Sequence, residues 1–172
     1  MIGFTVKGLD EWNVTNKCRR VEHMLEGTGM DYADMTKWDL SEVSSIDRMF
    51  HSCPRLTVVA FPKNMRRLQS MHYTFIRSQS LEQVHLPEVT AVIKDANACF
   101  LSAGVDGFRI GNIDRLSCKP DVSDLEQMFA YSQPARSDLF GFINANKLGP
   151  EDCKTLWIDD EVIEILSRGG LE

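Results

Sequence analysis

Apolar side chains recur along the chain with a period near 25. The segments VEHML (21–25), IDRMF (46–50), MHYTF (71–75), ANACF (96–100) and LEQMF (125–129) end on Leu25, Phe50, Phe75, Phe100 and Phe129. The first four of those anchors are evenly spaced, and the last follows after a slightly longer interval. Further columns keep the register: Cys18, Val43, Leu68, Ile93 and Val122 seven before each anchor, and Val21, Ile46, Met71, Ala96 and Leu125 four before. Met24, Met49, Thr74, Cys99 and Met128 stand one before. Apolar groups at such offsets line one face of a helical turn, so the spacing predicts a short helix in each copy. Small residues follow three after each anchor (Thr28, Cys53, Ser78, Ala103, Ser132) and suit a tight turn. Ser123-x-x-Glu126 reads as a capping box, and Ser44-x-x-Asp47 resembles one.

A second pattern follows each turn. LTVVAF (56–61), LEQVHL (81–86) and VDGFRI (105–110) alternate at their ends as short half-buried strands do. YADMTKW (32–38) is a degraded copy, LFGFIN (139–144) a candidate last strand, and IGFTV (2–6) a candidate first one. A unit of strand, loop, helix and turn cannot bury its apolar face alone, whereas stacked copies share one core and one parallel sheet. The predicted fold is an α/β solenoid. It is a leucine-rich-repeat-like stack of short parallel strands and short helices, with a C-terminal helical cap. Residues 1–144 form about five to six rungs and residues 145–172 the capping segment. In the latter, Ile158, Val162, Ile165 and Leu166 mark an amphipathic helix over roughly 156–168. Asp159, Asp160 and Glu161 lie near its positive end, Arg168 near its negative end, and Gly169-Gly170 stops it.

One copy is preserved well enough to compare with a known family. Trp38-Asp39-Leu40-Ser41, Val43, Ile46, Met49-Phe50, Cys53, Leu56, Val59 and Phe61 follow the unit W/F-D-x-S-x-V-x-x-M-x-x-M-F-x-x-C-x-x-L-x-x-L-x-L almost position by position. Trp12-Asn13-Val14-Thr15 echoes its opening, while Phe61-Pro62 and Leu86-Pro87 replace the Trp-Asp pair in later copies. The chain thus resembles the BspA-like leucine-rich repeats of bacterial surface and phage-borne proteins. That resemblance covers residues 1–144 in outline and is specific at 38–61. It implies a non-enzymatic protein-binding module, such as a phage or mobile-element product that occludes or scaffolds a host protein. A secreted or surface adhesin fragment is the alternative.

Charge narrows the partner. The chain carries −6, of which residues 151–172 hold −5 through seven acids and two bases, so residues 1–150 are close to neutral. No basic stripe runs along it, so a protein partner is expected rather than a nucleic acid. An acidic tail that mimics a nucleic-acid backbone is a third reading. No stretch reaches the length of apolar residues that crosses a bilayer. The opening MIGFTVKGLDEW lacks a basic segment followed by an apolar run, so the expected location is cytoplasmic, the host cytoplasm if phage-encoded.

Neither catalytic residue, metal ligand nor cofactor is expected. The chain contains no GxSxG, P-loop, GxGxxG or HExxH. The five cysteines form no CxxC pair. Cys18, Cys53 and Cys99 occupy core columns, whereas Cys118 and Cys153 lie outside the register and are expected to be more exposed. The four histidines lack metal-ligand spacing. His23 and His72 are expected to face solvent, His51 to leave the helix, and His85 to point outward between Val84 and Leu86. Residues between the inward strand positions would form the binding face: Asp34, Thr36, Val58, Ala60, Gln83, His85, Gly107 and Arg109.

Overall fold

The computed structural model describes residues 8–118 and 122–168. Candidate strand 2–6, the Ser123 side chain, Gly169-Gly170 and Leu171-Glu172 lie outside the described residues. Strands β1 (Tyr32–Asp34), β2 (Val58–Ala60), β4 (Gln83–His85) and β6 (Arg109–Gly111) form one parallel sheet in the order β1-β2-β4-β6. Each strand lies one repeat period after its neighbour, in register Tyr32↔Val58↔Gln83↔Arg109. Their middle residues Ala33, Val59, Val84 and Ile110 are buried. After a corner, β3 (Asn64–Met65) pairs with β5 (Val89–Thr90), also in parallel. Parallel bridges Ser45↔Ser70 and Ser70↔Asp95 continue the stacking around a third side.

On the side opposite the sheet the anchors do not sit on helices. Residues 22–27, 47–52, 72–77 and 97–102 are strings of consecutive turns, and the last anchor follows a 3-10 turn, Val122–Leu125. Hydrogen bonding explains the difference. In a helix successive N–H groups past the first turn would all bond within their own segment. Here alternate N–H groups do so: Met49 donates to Ile46 O and His51 to Arg48 O, both at 3.1 Å. The groups between them donate to the next pass: Arg48 to His72 O (2.9 Å), Phe50 to Thr74 O (3.0 Å) and Ser52 to Ile76 O (2.8 Å). The same alternation holds at Tyr73, Phe75 and Arg77, which donate to Asn97, Cys99 and Leu101. Such turns need left-handed backbone two residues before and two after each anchor, and every copy has it. Apolar spacing of three and four marks this curved ribbon just as it marks a helix. With no helix to cap, Ser44 does not cap one; the neighbouring Ser45 hydroxyl accepts the Asp47 N–H at 3.1 Å.

The core is a column of rings. Phe50, Phe75, Phe100 and Phe129 lie nearly parallel with centroids 5.7, 5.1 and 5.8 Å apart. All four are buried, and Phe61 packs edge-on against Phe50 and Phe75. The small residues beside them close polar loose ends. Ser78 Oγ donates to Phe50 O at 2.6 Å, and Cys53 Sγ donates to Leu25 O at 3.1 Å, so a buried hydroxyl or thiol satisfies the carbonyl of the preceding pass.

Three helices close the C-terminal end: α1 (Arg136–Asn146), α2 (Pro150–Thr155) and α3 (Asp160–Ser167). The helical region therefore begins at Arg136, before the boundary expected at 145. The candidate strand 139–144 lies inside α1, because Leu139, Phe142 and Ile143 bury one helical face and Phe142 meets Phe129 edge-on at 6.1 Å. The single helix expected over 156–168 is α3 alone, with α2 before it. Asp159 caps α3 by accepting the Glu161 N–H at 2.7 Å. At the other end Trp12 stacks on Trp38 at 5.8 Å, and the Trp38 indole N–H donates to Leu9 O at 2.8 Å.

Candidate binding face

The side chains that alternate with Ala33, Val59, Val84 and Ile110 point away from the core. They form two rows across the sheet, Tyr32-Val58-Gln83-Arg109 and Asp34-Ala60-His85-Gly111. Six of the expected residues belong to these rows: Asp34, Val58, Ala60, Gln83, His85 and Arg109. Thr36 and Gly107 do not. Thr36 follows β1 in a turn, where its N–H (2.9 Å) and hydroxyl (2.6 Å) both donate to Asp34 Oδ1. These two bonds hold the Asp34 carboxyl below its usual range. Thr36 also borders a shallow hollow of about 410 Å³ with Trp38, Asp39, Lys63 and Arg66. Gly107 sits in the turn before β6 with φ +72°, because the strand starts at Arg109 rather than at Val105.

The rows hold two further members, Tyr32 and Gly111, which the apolar pattern alone does not single out. Tyr32 is 61 % exposed and heads the first row. Strand parity counted from Asp34 identifies it. Gly111 is explained by its neighbour: a Cβ there would stand 3.1 Å from His85 Nδ1, so the glycine leaves that ring its space. His85 is exposed, as expected for an outward position.

Arg109 is not free. Its Nε and a terminal nitrogen donate to both oxygens of Asp138 at 2.9 and 2.8 Å. The same carboxylate accepts the Ile110 N–H at 2.8 Å. Burial pushes the Asp138 carboxyl up, but Arg109 and the Ile110 N–H outweigh it and hold the group below its usual range. Asp138 thus occupies the place that the backbone of a further strand would take.

The remaining polar residues sort into structural roles. On the turn side Glu26 gathers Arg48 (3.0 Å), His23 (2.6 Å) and His51 (2.9 Å). His23 is exposed, whereas His72 is half-buried beside Asp95 at 3.2 Å. Burial, with Arg48 nearby, lowers the His51 pKa and keeps that ring neutral at pH 7. Cys53 and Cys99 are buried as their columns require, but Cys18 is partly exposed. Cys153, expected at the surface, is buried in α2, and Cys118 is partly buried. Burial pushes the thiols of Cys118 and Cys153 up to about 12 and 11, so neither is a thiolate at pH 7. Among the described residues no group of three or more His, Cys, Asp or Glu side chains is gathered as a metal would need. Nor is any helix there long and apolar enough to cross a membrane. The tail acids are partly spent on local pairs: Glu151 with Lys154, Glu161 with Arg136, and Glu164 with Arg168.

Successive passes, paired strand to strand and stacked ring on ring, make this a repeat protein with an exposed sheet face. The chain belongs to the family described as "Mycoplasma protein of unknown function, DUF285", whose model matches residues 3–88. No curated protein and no solved structure matches it.

Proposed function

We propose that the protein is a non-enzymatic binding module, a BspA-like leucine-rich-repeat solenoid that engages a protein partner through the outward sheet face. The observation that carries this reading is the pair of rows headed by Tyr32 and Asp34. Four strands in register hold those side chains on one rigid surface, with their alternate residues locked in the core. The surface mixes an aromatic, small apolar groups, an amide, an imidazole and both charge signs. That composition suits a protein surface better than a phosphate backbone. Tyr32 supplies a large, amphipathic contact of the kind that anchors interfaces. Binding would act by occlusion or scaffolding in the cytoplasm.

The test uses Tyr32 and His85, since Arg109 is tied to Asp138. A Tyr32→Ala/His85→Ala double variant should retain the wild-type melting temperature and lose partner capture from host extract by tenfold or more. Capture at wild-type level by the folded variant would remove the sheet face from consideration. Capture that instead collapses as salt is raised, while ignoring the double variant, would favour acidic mimicry.

A further inference from the structure

The C-terminal end of the stack holds a cleft that the sheet face does not use. Its volume is about 720 Å³. One wall is the turn Gly104–Gly107, another the segment Tyr131–Arg136 entering α1, and the third the α2–α3 junction with Trp157 and Asp159. Phe129, Leu139, Ile158 and Val162 are buried along it and give an apolar floor. At the rim Tyr131 and Trp157 lie in contact, centroids 5.3 Å apart and planes at 53°. They are 76 % and 47 % exposed, the barest contacting aromatic pair among the described residues.

In the turn column of Tyr131, two after each anchor, the other copies carry Gly27, Ser52, Arg77 and Ser102. A large ring in this column is therefore particular to the last pass, and Trp157 shares its left-handed backbone at φ +59°. Nothing in the core is gained by either side chain. Charge supplies the other half of the argument. The acids of the lining are Asp106 and Asp159, and its one base, Arg136, is paired with Glu161. The stretch 151–168, which supplies the third wall, holds six acids against two bases.

We propose that this cleft is a docking site for an arginine-bearing segment of a protein partner. Aromatic faces attract a guanidinium, which stacks flat on an indole or phenol ring. The aliphatic stem of arginine would cover the apolar floor while its head reaches the carboxylates of Asp106 and Asp159. No other ordinary side chain combines a cation, a flat face and an apolar stem. The site shares no residue with the two rows of the sheet, so either surface can fail while the other stands.

The probe is capped tetra-arginine, titrated calorimetrically into the full chain at low salt. Saturable binding is expected, with tetra-lysine weaker. Tyr131→Ala, Trp157→Ala and the Asp106→Asn/Asp159→Asn pair should each weaken it at least tenfold. Asn keeps the cap of α3, and Tyr131→Phe and Trp157→Phe should retain most of the affinity, which separates lost contacts from lost folding. Absence of saturable heat overturns the proposal. So does wild-type affinity in the folded Tyr131→Ala variant, because diffuse attraction to the acidic tail would not need the ring. Binding of tetra-glutamate with equal strength overturns it as well.

Discussion

Each turn string places two residues in left-handed backbone, and only one of the ten in the five copies, Gly27, is a glycine. That conformation costs an L-residue on the order of 1–2 kcal/mol. It persists because nine of the ten donate their N–H to a carbonyl of the following segment. Two glycine substitutions separate conformation from crowding. At Gly27 a Cβ would meet nothing within 4 Å, so Gly27→Ala should cost only about 1 kcal/mol. At Gly104 the backbone is similar, φ +74°, but a Cβ would lie 2.4 Å from a ring carbon of buried Phe108. Gly104→Ala should therefore cost about 3 kcal/mol, and urea denaturation of both variants checks the order. Glu26 makes a pH prediction. The Arg48 guanidinium, with help from His23, holds its carboxyl at about 2, down from 4.5. A depressed folded value means the contribution is complete above 4.5 and disappears as pH falls toward 2. The stability gap between wild type and Glu26→Gln should close over that interval. A gap that stays constant from neutral pH down through that interval would show that the carboxylate does not act through its charge.

At the scale of elements, α1 takes the place of a strand. It reaches β6 through Asp138, and it reaches residues 116–118 through Asn146. Asn146 Oδ1 accepts the Cys118 N–H at 2.9 Å, and its Nδ2 donates to Leu116 O at 3.0 Å. Two side chains thus reproduce the ladder contacts of a missing neighbour. Asp138→Asn weakens the Arg109 clamp and the bond to Ile110, and should cost about 1.5–3 kcal/mol by thermal or urea unfolding. Strand positions were legible because inward and outward residues alternate: Val58, Gln83 and His85 fell on the correct face from parity alone. The turn strings were not legible as turns. The Phe50 N–H bonds to the Thr74 carbonyl, a full pass further along the chain, and no local spacing records that. LFGFIN misled for the opposite reason. Leu139, Phe142 and Ile143 fit a helical face, while the apolar run Leu139–Ile143 also fits one more strand of the repeat. Gly107 and Thr36 were misplaced because β6 starts later, and β1 ends sooner, than the apolar alternation suggested.

Over the whole molecule, stability is distributed along the ring column rather than concentrated at one centre. Phe75 touches Phe50 on one side and Phe100 on the other, so its removal opens a void between two passes. Phe75→Ala should cost about 3–5 kcal/mol, and a loss below ~1 kcal/mol would mean that the passes are not held by their rings. The ring column was the clearest signal in the chain, since Leu25, Phe50, Phe75 and Phe100 recur at one even interval. The outward face of the sheet, the proposed binding face, was legible in part, because outward residues carry no pattern of their own and are found only by knowing what faces in. The direct measurement of that face is site-specific photo-crosslinking in the native host. A benzophenone side chain would be placed at Gln83 or His85 on the sheet, and at Arg77 on the turn side as reference. The sheet positions should each yield one discrete adduct with the same protein, and Arg77 none. Adducts confined to Arg77, or the same adducts at all three positions, would contradict a partner-binding sheet face.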